Sequence, residues 1–431
     1  MERELRENLG VRLLTMICLA AGSLGAQPAP APAPSRLTPD AAVREAIENN
    51  LGLLAERYNL SIAEARIVQA GLRPNPVFSA GPDYQDLLRQ GFTIANSAGP
   101  PEIDFRTDFI IEGGGKRERR LEVARSARSV AELQLADSIR LLSYDVESAC
   151  VDVLLAQASL ELARENLKSF EGIVEVNRAR VGSGDLAKVE LTRSQVAARQ
   201  FQNSVKQAEL RLRIAQNRLK LLLGRKDTAD PVEVAGPLRR DAEPVQMARV
   251  RERAIEFRPD LQALLKEQAR SQSDIRLQIA QGKIDYTVST LYHHQYGYSN
   301  GRAFGLQLTV PVPVFNRNQG EIERARQEQR QIEARIRALR ASIGMEVENA
   351  YQQYTTARAL LENIEANMLG PAREVRQTME YSYRRGEASL VEFLDAQRAF
   401  NETAQSYNEA RAEYARSLYL IDSVSGGEAR P

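Results

Sequence analysis

Apolar residues at Ile139, Leu142, Val146, Ala149, Val153, Ala156, Leu160, Ala163, Leu167 and Phe170 step by three and four without a break. That spacing lines one face of a helix, and sustained this long it predicts a coiled-coil seam. A second ladder, Leu339, Ile343, Val347, Ala350, Tyr354, Ala357, Leu361, Ile364 and Met368, keeps nearly the same step, with one extra residue between Ile343 and Val347. Each ladder has a returning partner: Val205, Ala208, Leu212, Ala215, Leu219 and Leu222 in the first half, Phe400, Ala404, Tyr407, Tyr414, Leu418 and Ile421 in the second. Each half therefore predicts a helical hairpin. From Lys116 to Val181 there is no proline and one internal glycine, so at ~1.5 Å per residue the first descending helix runs near 100 Å. Gly370-Pro371 predicts a kink or restart in the second.

Upstream of each hairpin the period falls to two. Tyr286, Val288, Thr290, Tyr292, His294, Tyr296 and Tyr298 alternate with Thr287, Ser289, Leu291, His293, Gln295 and Gly297. After a turn at Ser299-Asn300-Gly301, Phe304, Leu306, Leu308, Val310 and Val312 alternate with Gly305, Gln307, Thr309 and Pro311. The pattern predicts a strand pair with one apolar, Tyr-rich face. A weaker pair lies around Asn75 to Tyr84 and Asp104 to Glu112. Strands of about ten residues, apolar on one side and polar on the other, with tyrosines near their ends, are the pattern of an outer-membrane barrel; the plainer alternative is a small sheet with one wet face.

The chain also aligns with itself. Val146-Glu147-Ser148-Ala149 matches Val347-Glu348-Asn349-Ala350, and Gly184, Val189, Glu190 and Gln195 match Gly386, Val391, Glu392 and Gln397. The architecture is thus mainly α with a small β part, a tandem duplication of helix, two strands and long hairpin. The first repeat takes residues 37–225 and the second 245–424, joined by a linker at 226–244 and followed by a tail at 425–431. Four strands cannot close on themselves, and open edges are not tolerated in lipid. Three chains would supply a 12-stranded barrel and twelve hairpin helices for an α-barrel tunnel, so a homotrimer in outer-membrane lipid is expected.

Composition narrows the picture further. With 58 Lys+Arg against 57 Asp+Glu the net charge is +1, so no global field favours nucleic acid. Leu13 to Ala26 is a short apolar run followed by small residues, which predicts a signal peptide over residues 1–26. The QPAPAPAPSR stretch at 27–36 reads as a stiff tether. Ile17 before Cys18 argues against lipidation. Cleavage would leave Cys150 as the single cysteine, without a disulfide.

In its order of elements and in its hairpin tips, the chain resembles the outer-membrane factors of the TolC type, the exit ducts of tripartite efflux pumps and type I secretion. The second tip, Tyr383-Arg384-Arg385-Gly386 leading to Glu392 and Asp395, and the first, Val181-Gly182-Ser183-Gly184 leading to Glu190, carry that resemblance. Val181 departs from the aromatic of the pattern, and Ala388 stands where a basic residue is common. Pro311 to Ala325, PVPVFNRNQGEIERA, is similar to the strand-to-helix corner of the heavy-metal, cobalt-zinc-cadmium branch.

The resemblance implies a passive channel in the outer membrane with a periplasmic helical tunnel, an exit duct for heavy-metal cations. Its partners would be a periplasmic adaptor, docked at Val181, Gly182, Gly184 and Gly386, and an inner-membrane pump. It implies that Glu392 and Asp395 are acids ringing the closed end, and that Tyr383 and Glu190 form a latch between hairpins. Drug or type I secretion export is the alternative duct, and a secreted coiled-coil scaffold without a pore the alternative class. Neither enzymatic activity nor a cofactor is expected.

Three constellations read as structural. Gly113-Gly114-Gly115-Lys116 resembles a phosphate loop but has Arg117 where Ser or Thr is needed, and its alignment with Phe315-Asn316-Arg317 makes it a strand-to-helix corner. His293 and His294 are the two histidines; adjacent strand residues point to opposite faces and no acid is expected nearby, so no metal site is expected. Glu392 and Asp395, three apart, share one helix face, and the plain reading of that face is a solvated one.

Overall fold

The computed structural model describes residues 37–83, 102–226, 232–296 and 301–427. The signal peptide and tether expected at 1–36, Tyr84, Gly297, Tyr298 and the turn residues Ser299 and Asn300 lie outside them. The elements follow one another as α1 (Pro39–Asn49), α2 (Leu51–Gly71), β1 (Val77–Asp83), β2 (Glu102–Ile111), α3 (Lys116–Gly182) and α4 (Lys188–Leu222). The order then repeats as α5 (Met247–Phe257), α6 (Pro259–Gln281), β3 (Tyr286–Gln295), β4 (Arg302–Thr309), α7 (Gln319–Asn363), a π-helical turn (Ile364–Met368), α8 (Leu369–Arg385) and α9 (Leu390–Val424).

The duplication is metrically close. The lengths of α7, the π turn and α8, 45, 5 and 17 residues, together equal the 67 of α3, and α4 and α9 have 35 residues each. Pro371 falls in the first turn of α8, where a missing N–H costs little. The disturbance expected at Gly370-Pro371 is taken up just upstream, where Leu369 N bonds back to Ile364 O in the wider π spacing.

Each repeat buries its seam against its own short first helix. In the first, Val146, Ala149 and Val153 pack with Ala42, Val43, Ala46, Leu219 and Leu223. In the second, Ile343, Val347, Ala350 and Tyr354 pack with Val250, Leu261, Tyr414 and Leu418. The linker is not free chain: Leu37 N bonds Glu233 O at 2.8 Å and Ala235 N bonds Leu37 O at 3.0 Å. Nor is the start of the tail, since Ser425 and Gly426 are buried. Among the described residues no helix is long and apolar enough to cross a membrane.

The four strands form one antiparallel sheet in the order β1-β2-β3-β4, with β2 and β3 joining the two repeats. All four strands meet their helices at the same end, near Val77, Ile111, Tyr286 and Thr309. The register puts Ala80, Phe105, Tyr292 and Phe304 in one row, and Phe109, Val288 and Leu308 in another on the same face. That face is open: Phe304 is 72% and Leu306 74% exposed. Strand β4 stops at Thr309, so Val310, expected as a barrel position, lies beyond the ladder, where Pro311 and Pro313 have no N–H to continue it.

The opposite face is polar and internally paired. Arg106 Nε bonds Asp108 at 2.7 Å, and Ser289 Oγ donates to Asp108 at 2.6 Å. His293 meets Asp104 through Nδ1 at 2.6 Å and Glu102 through Nε2 at 3.4 Å. His294 turns to the other face, edge-on to Tyr296. The two histidines are separated as expected, but the absence of nearby acids is corrected: strand pairing brings both carboxylates across from β2. They sit at different nitrogens of one ring, so they do not converge on a shared point.

The corner between β2 and α3 shows what the triple glycine does. Gly114 and Gly115 both have φ near +70°, and Gly113 leaves no room for a Cβ beside Ile284 O. Lys116 is buried and its ammonium is held by both Asp285 oxygens at 2.7 and 2.8 Å. The charge of this lysine is thus buried and already matched by Asp285, unlike that of a phosphate-loop lysine.

Candidate functional site

The two tips reverse by the same device. At the first, Gly184 has φ +87° and the N–H groups of Asp185 and Leu186 return to Arg180 O at 2.8 and 3.2 Å. At the second, Gly386 has φ +82° and Glu387 N returns to Ser382 O at 2.9 Å. A left-handed residue lets late carbonyls of a helix find donors, and glycine takes that conformation without steric cost. Gly182 is different. It is the last residue of α3, has no positive φ, and a Cβ there would meet nothing within 4 Å. Val181 beside it is half-buried.

Behind the tips an aromatic stack joins the hairpins. Phe393 of α9 lies against Phe170 of α3 at 5.5 Å and against Tyr383 of α8 at 5.7 Å, and Phe201 of α4 packs on Phe170 at 4.5 Å. Such arrangements add to simple area burial. Two buried polar rungs flank the stack. Tyr383 donates its hydroxyl proton to Asn177 Oδ1 at 2.8 Å, and Gln397 Nε2 donates to Asn166 Oδ1 at 2.9 Å. Burial pushes the Tyr383 phenol above its ordinary range, with the Asn177 bond acting the other way.

Tyr383 therefore does not hydrogen-bond Glu190, the partner expected for it. Glu190 pairs instead with Arg193 one turn along its own helix, at 2.9 Å. Glu190 lies near enough for its charge to raise the Tyr383 phenol, but its carboxylate is engaged by Arg193 and the hydroxyl of Tyr383, a residue 3% exposed beneath the Phe393 ring, finds Asn177 instead. Asn177 went unread although the signal was present. It continues the step Phe170, Ile173, Asn177, so a polar residue falls on the seam, where an amide fixes register. The rungs are incompletely matched, since Asn177 Nδ2 and Gln397 Oε1 have no protein partner.

Glu392 and Asp395 are both exposed on one face of α9. Glu392 has a second duty: its carboxylate accepts from Ser389 N at 2.7 Å and from Ser389 Oγ at 2.8 Å, while Ser389 Oγ accepts from Glu392 N. This is a capping box, readable in Ser389-x-x-Glu392. The Ser389 backbone N–H, then its hydroxyl, hold the Glu392 carboxyl below the usual range. The matching glutamines of the repeat have diverged as well, with Gln397 buried on Asn166 and Gln195 exposed.

Among the described residues no three His, Cys, Asp or Glu side chains are grouped to hold a metal ion. The arrangement at the tips can hold two hairpins together and present charge on a surface.

The sequence model of the outer membrane efflux protein family matches residues 42–225 and 250–427, one match per repeat. The chain is 25% identical over 400 residues to the cobalt-zinc-cadmium resistance protein CzcC of Cupriavidus metallidurans, covering 92% of each. It is 23% identical over 404 residues to Nodulation protein T of Rhizobium leguminosarum bv. trifolii, covering 89% of this chain and 84% of that one. Its fold is similar to that of the outer-membrane channel OprN (TM-score 0.74, 18% identity, 93% of this chain and 94% of the other). It is also similar to the Campylobacter jejuni CmeC outer membrane channel (TM-score 0.74, 16% identity, 95% and 93%) and to CusC (TM-score 0.71, 17% identity, 92% and 93%).

Proposed function

The chain belongs to the outer membrane efflux protein family, and from that premise we propose that this outer-membrane channel is the passive exit duct of a heavy-metal cation pump. The observation that carries the duct is the four-stranded sheet, with an open apolar face, a paired polar face and, among the described residues, two edges without a strand partner. Three copies satisfy those edges as a 12-stranded barrel, because backbone groups in lipid must be paired. The hairpins then form the periplasmic tunnel. An adaptor docks at the tips around Val181, Gly182, Gly184 and Gly386, and an inner-membrane pump supplies the energy.

At the closed end, three copies of Glu392 and Asp395 place six carboxylates around the axis, which attracts cations. The latch is the Tyr383–Asn177 bond, reinforced by Gln397–Asn166. Each rung leaves one amide atom without a partner, which costs about 1–3 kcal/mol per buried group and keeps the junction separable. The heavy-metal reading rests on the Pro311 to Ala325 corner and on the likeness to CzcC.

The test is complementation. In a host without its own outer-membrane efflux channels, this chain together with an adaptor and pump of the cobalt-zinc-cadmium type raises tolerance to those three cations. If cation tolerance stays flat while the chain restores drug tolerance with a drug-type pump, the duct serves organic compounds.

A further inference from the structure

The second strand-to-helix corner is unlike the first. Where the first folds Gly113 to Gly115 tightly over Lys283 and Ile284, the second leaves Val312 (79%), Val314 (59%) and Phe315 (90%) exposed. Phe315 has the highest exposure of any large hydrophobic among the described residues. Leaving a phenyl ring in water forgoes roughly 1.5–3 kcal/mol of burial, and three such side chains within four residues are not scattered surface apolarity.

The corner also has a defined place. Val310 and Val312 continue the alternation of Phe304, Leu306 and Leu308 past the end of β4, toward the helices. The apolar strip thus runs from the membrane face of the sheet directly into the corner. An exposed cation lies on the corner itself, Arg317, its Nε donating to Pro313 O at 3.3 Å. The corner is held from behind, with Asn318 in the left-handed region at φ +62° and its Nδ2 donating to Gln278 O at 2.8 Å. It is a braced presentation of an aromatic ring and not a loose loop.

We propose that Val312 and Phe315 anchor the channel in the periplasmic leaflet, with the Phe315 ring at the boundary between phospholipid headgroups and acyl chains and with Arg317 facing the lipid phosphates. The occupant is lipid because the patch is continuous with the sheet face that lipid covers, carries aromatic and aliphatic groups next to an exposed arginine, and lies at the helix-proximal rim. Aromatic rings collect at that depth in membrane barrels. The corner belongs to the second repeat, so each protomer contributes one. This inference rests on the membrane reading of the sheet given above.

The chain has no tryptophan, so a single substitution is its own reporter. Phe315→Trp, assembled and reconstituted in phosphatidylcholine vesicles, is compared in lipids brominated near the headgroup and near the chain ends. Leu306→Trp on the sheet and Tyr381→Trp on α8 are the references, and Val312→Trp serves if Phe315→Trp does not assemble. The proposal requires blue-shifted emission from Phe315→Trp, quenched more by shallow than by deep bromine, with Leu306→Trp quenched by deep bromine and Tyr381→Trp by neither. Water-like, unquenched emission from Phe315→Trp beside a quenched Leu306→Trp overturns it. Blue-shifted but unquenched emission also overturns it, because a neighbouring protomer then covers the corner. Unquenched Leu306→Trp places the failure earlier, in the membrane reading of the sheet.

Discussion

The phenol of Tyr383 and the carboxamide of Asn177 meet at 2.8 Å, with Asn177 fully buried and the tyrosine ring stacked at 10° on Phe393. Two residues 206 positions apart thereby fasten the second hairpin to the first.

Removing the phenol tests the latch. Tyr383→Phe leaves Asn177 Oδ1 buried without a donor, a cost of about 1–3 kcal/mol to the closed junction. Single-channel open probability rises and ion preference is unchanged, since no charge is lost. Pairing Tyr383→Phe with Asn177→Leu removes both polar partners and returns part of the closure. Glu190→Gln leaves open probability as it was; a rise equal to that of Tyr383→Phe would restore Glu190 as the partner.

The two matched glutamines separate by burial. Gln397→Ala strips Asn166 of its buried donor and lowers the denaturation midpoint of the detergent-solubilised protein, at a cost of about 1–3 kcal/mol. Gln195→Ala, on an exposed face, shifts stability by within about 0.5 kcal/mol. Equal effects would show that the Gln397–Asn166 rung carries no closure energy.

Glycine replacements at the tips sort by backbone. Gly184→Val and Gly386→Val force β-branched residues into the left-handed region, roughly 1–2 kcal/mol or more each. Gly386 is the tighter site, as a Cβ there lies 3.0 Å from Arg180 Nη2. Export is lost with assembly and membrane insertion intact. Gly182→Ala, in helical backbone with open space, exports normally.

Charge and capping at Glu392 come apart by choice of variant. Glu392→Gln with Asp395→Asn lowers cation preference and weakens block by multivalent cations in planar bilayers, because clustered carboxylates in a confined bore are poorly screened. Ser389→Ala breaks the capping box but keeps both charges, so it loosens the start of α9, read by faster amide exchange, without moving cation preference. The Glu392 carboxyl is depressed in the folded chain, so its contribution is present above its ordinary range. That contribution fades as pH falls through the lowered value. Amide exchange at Leu390 to Phe393 should accelerate in that acid window.

Burial pushes the Cys150 thiol up to about 12. A raised acid keeps its proton in the folded state, so its contribution to stability is full below the ordinary thiol range and declines as pH rises toward 12. Maleimide labels this thiol only after denaturation, and labelling of the native channel at pH 8 would contradict its burial between α3 and its neighbours.

Periodicity alone determined the hairpins, the strand pairs and the duplication, because a seam of three-and-four steps and an alternation of two are local consequences of helix and strand geometry. Gly184 and Gly386 were legible for the same reason, as a reversal after a long helix needs a left-handed residue. The capping box was equally local and was there to be read in Ser389-x-x-Glu392. What only the tertiary structure decided lies between segments far apart in sequence. Asn177 rather than Glu190 receives the Tyr383 hydroxyl, Asn166 claims Gln397 while Gln195 stays in solvent, and Asp104 and Glu102 come to His293 from a strand 189 or more residues earlier. Patterns state which face a residue takes on its own element. They do not state which face of another element it meets, because that follows from how the two repeats pack.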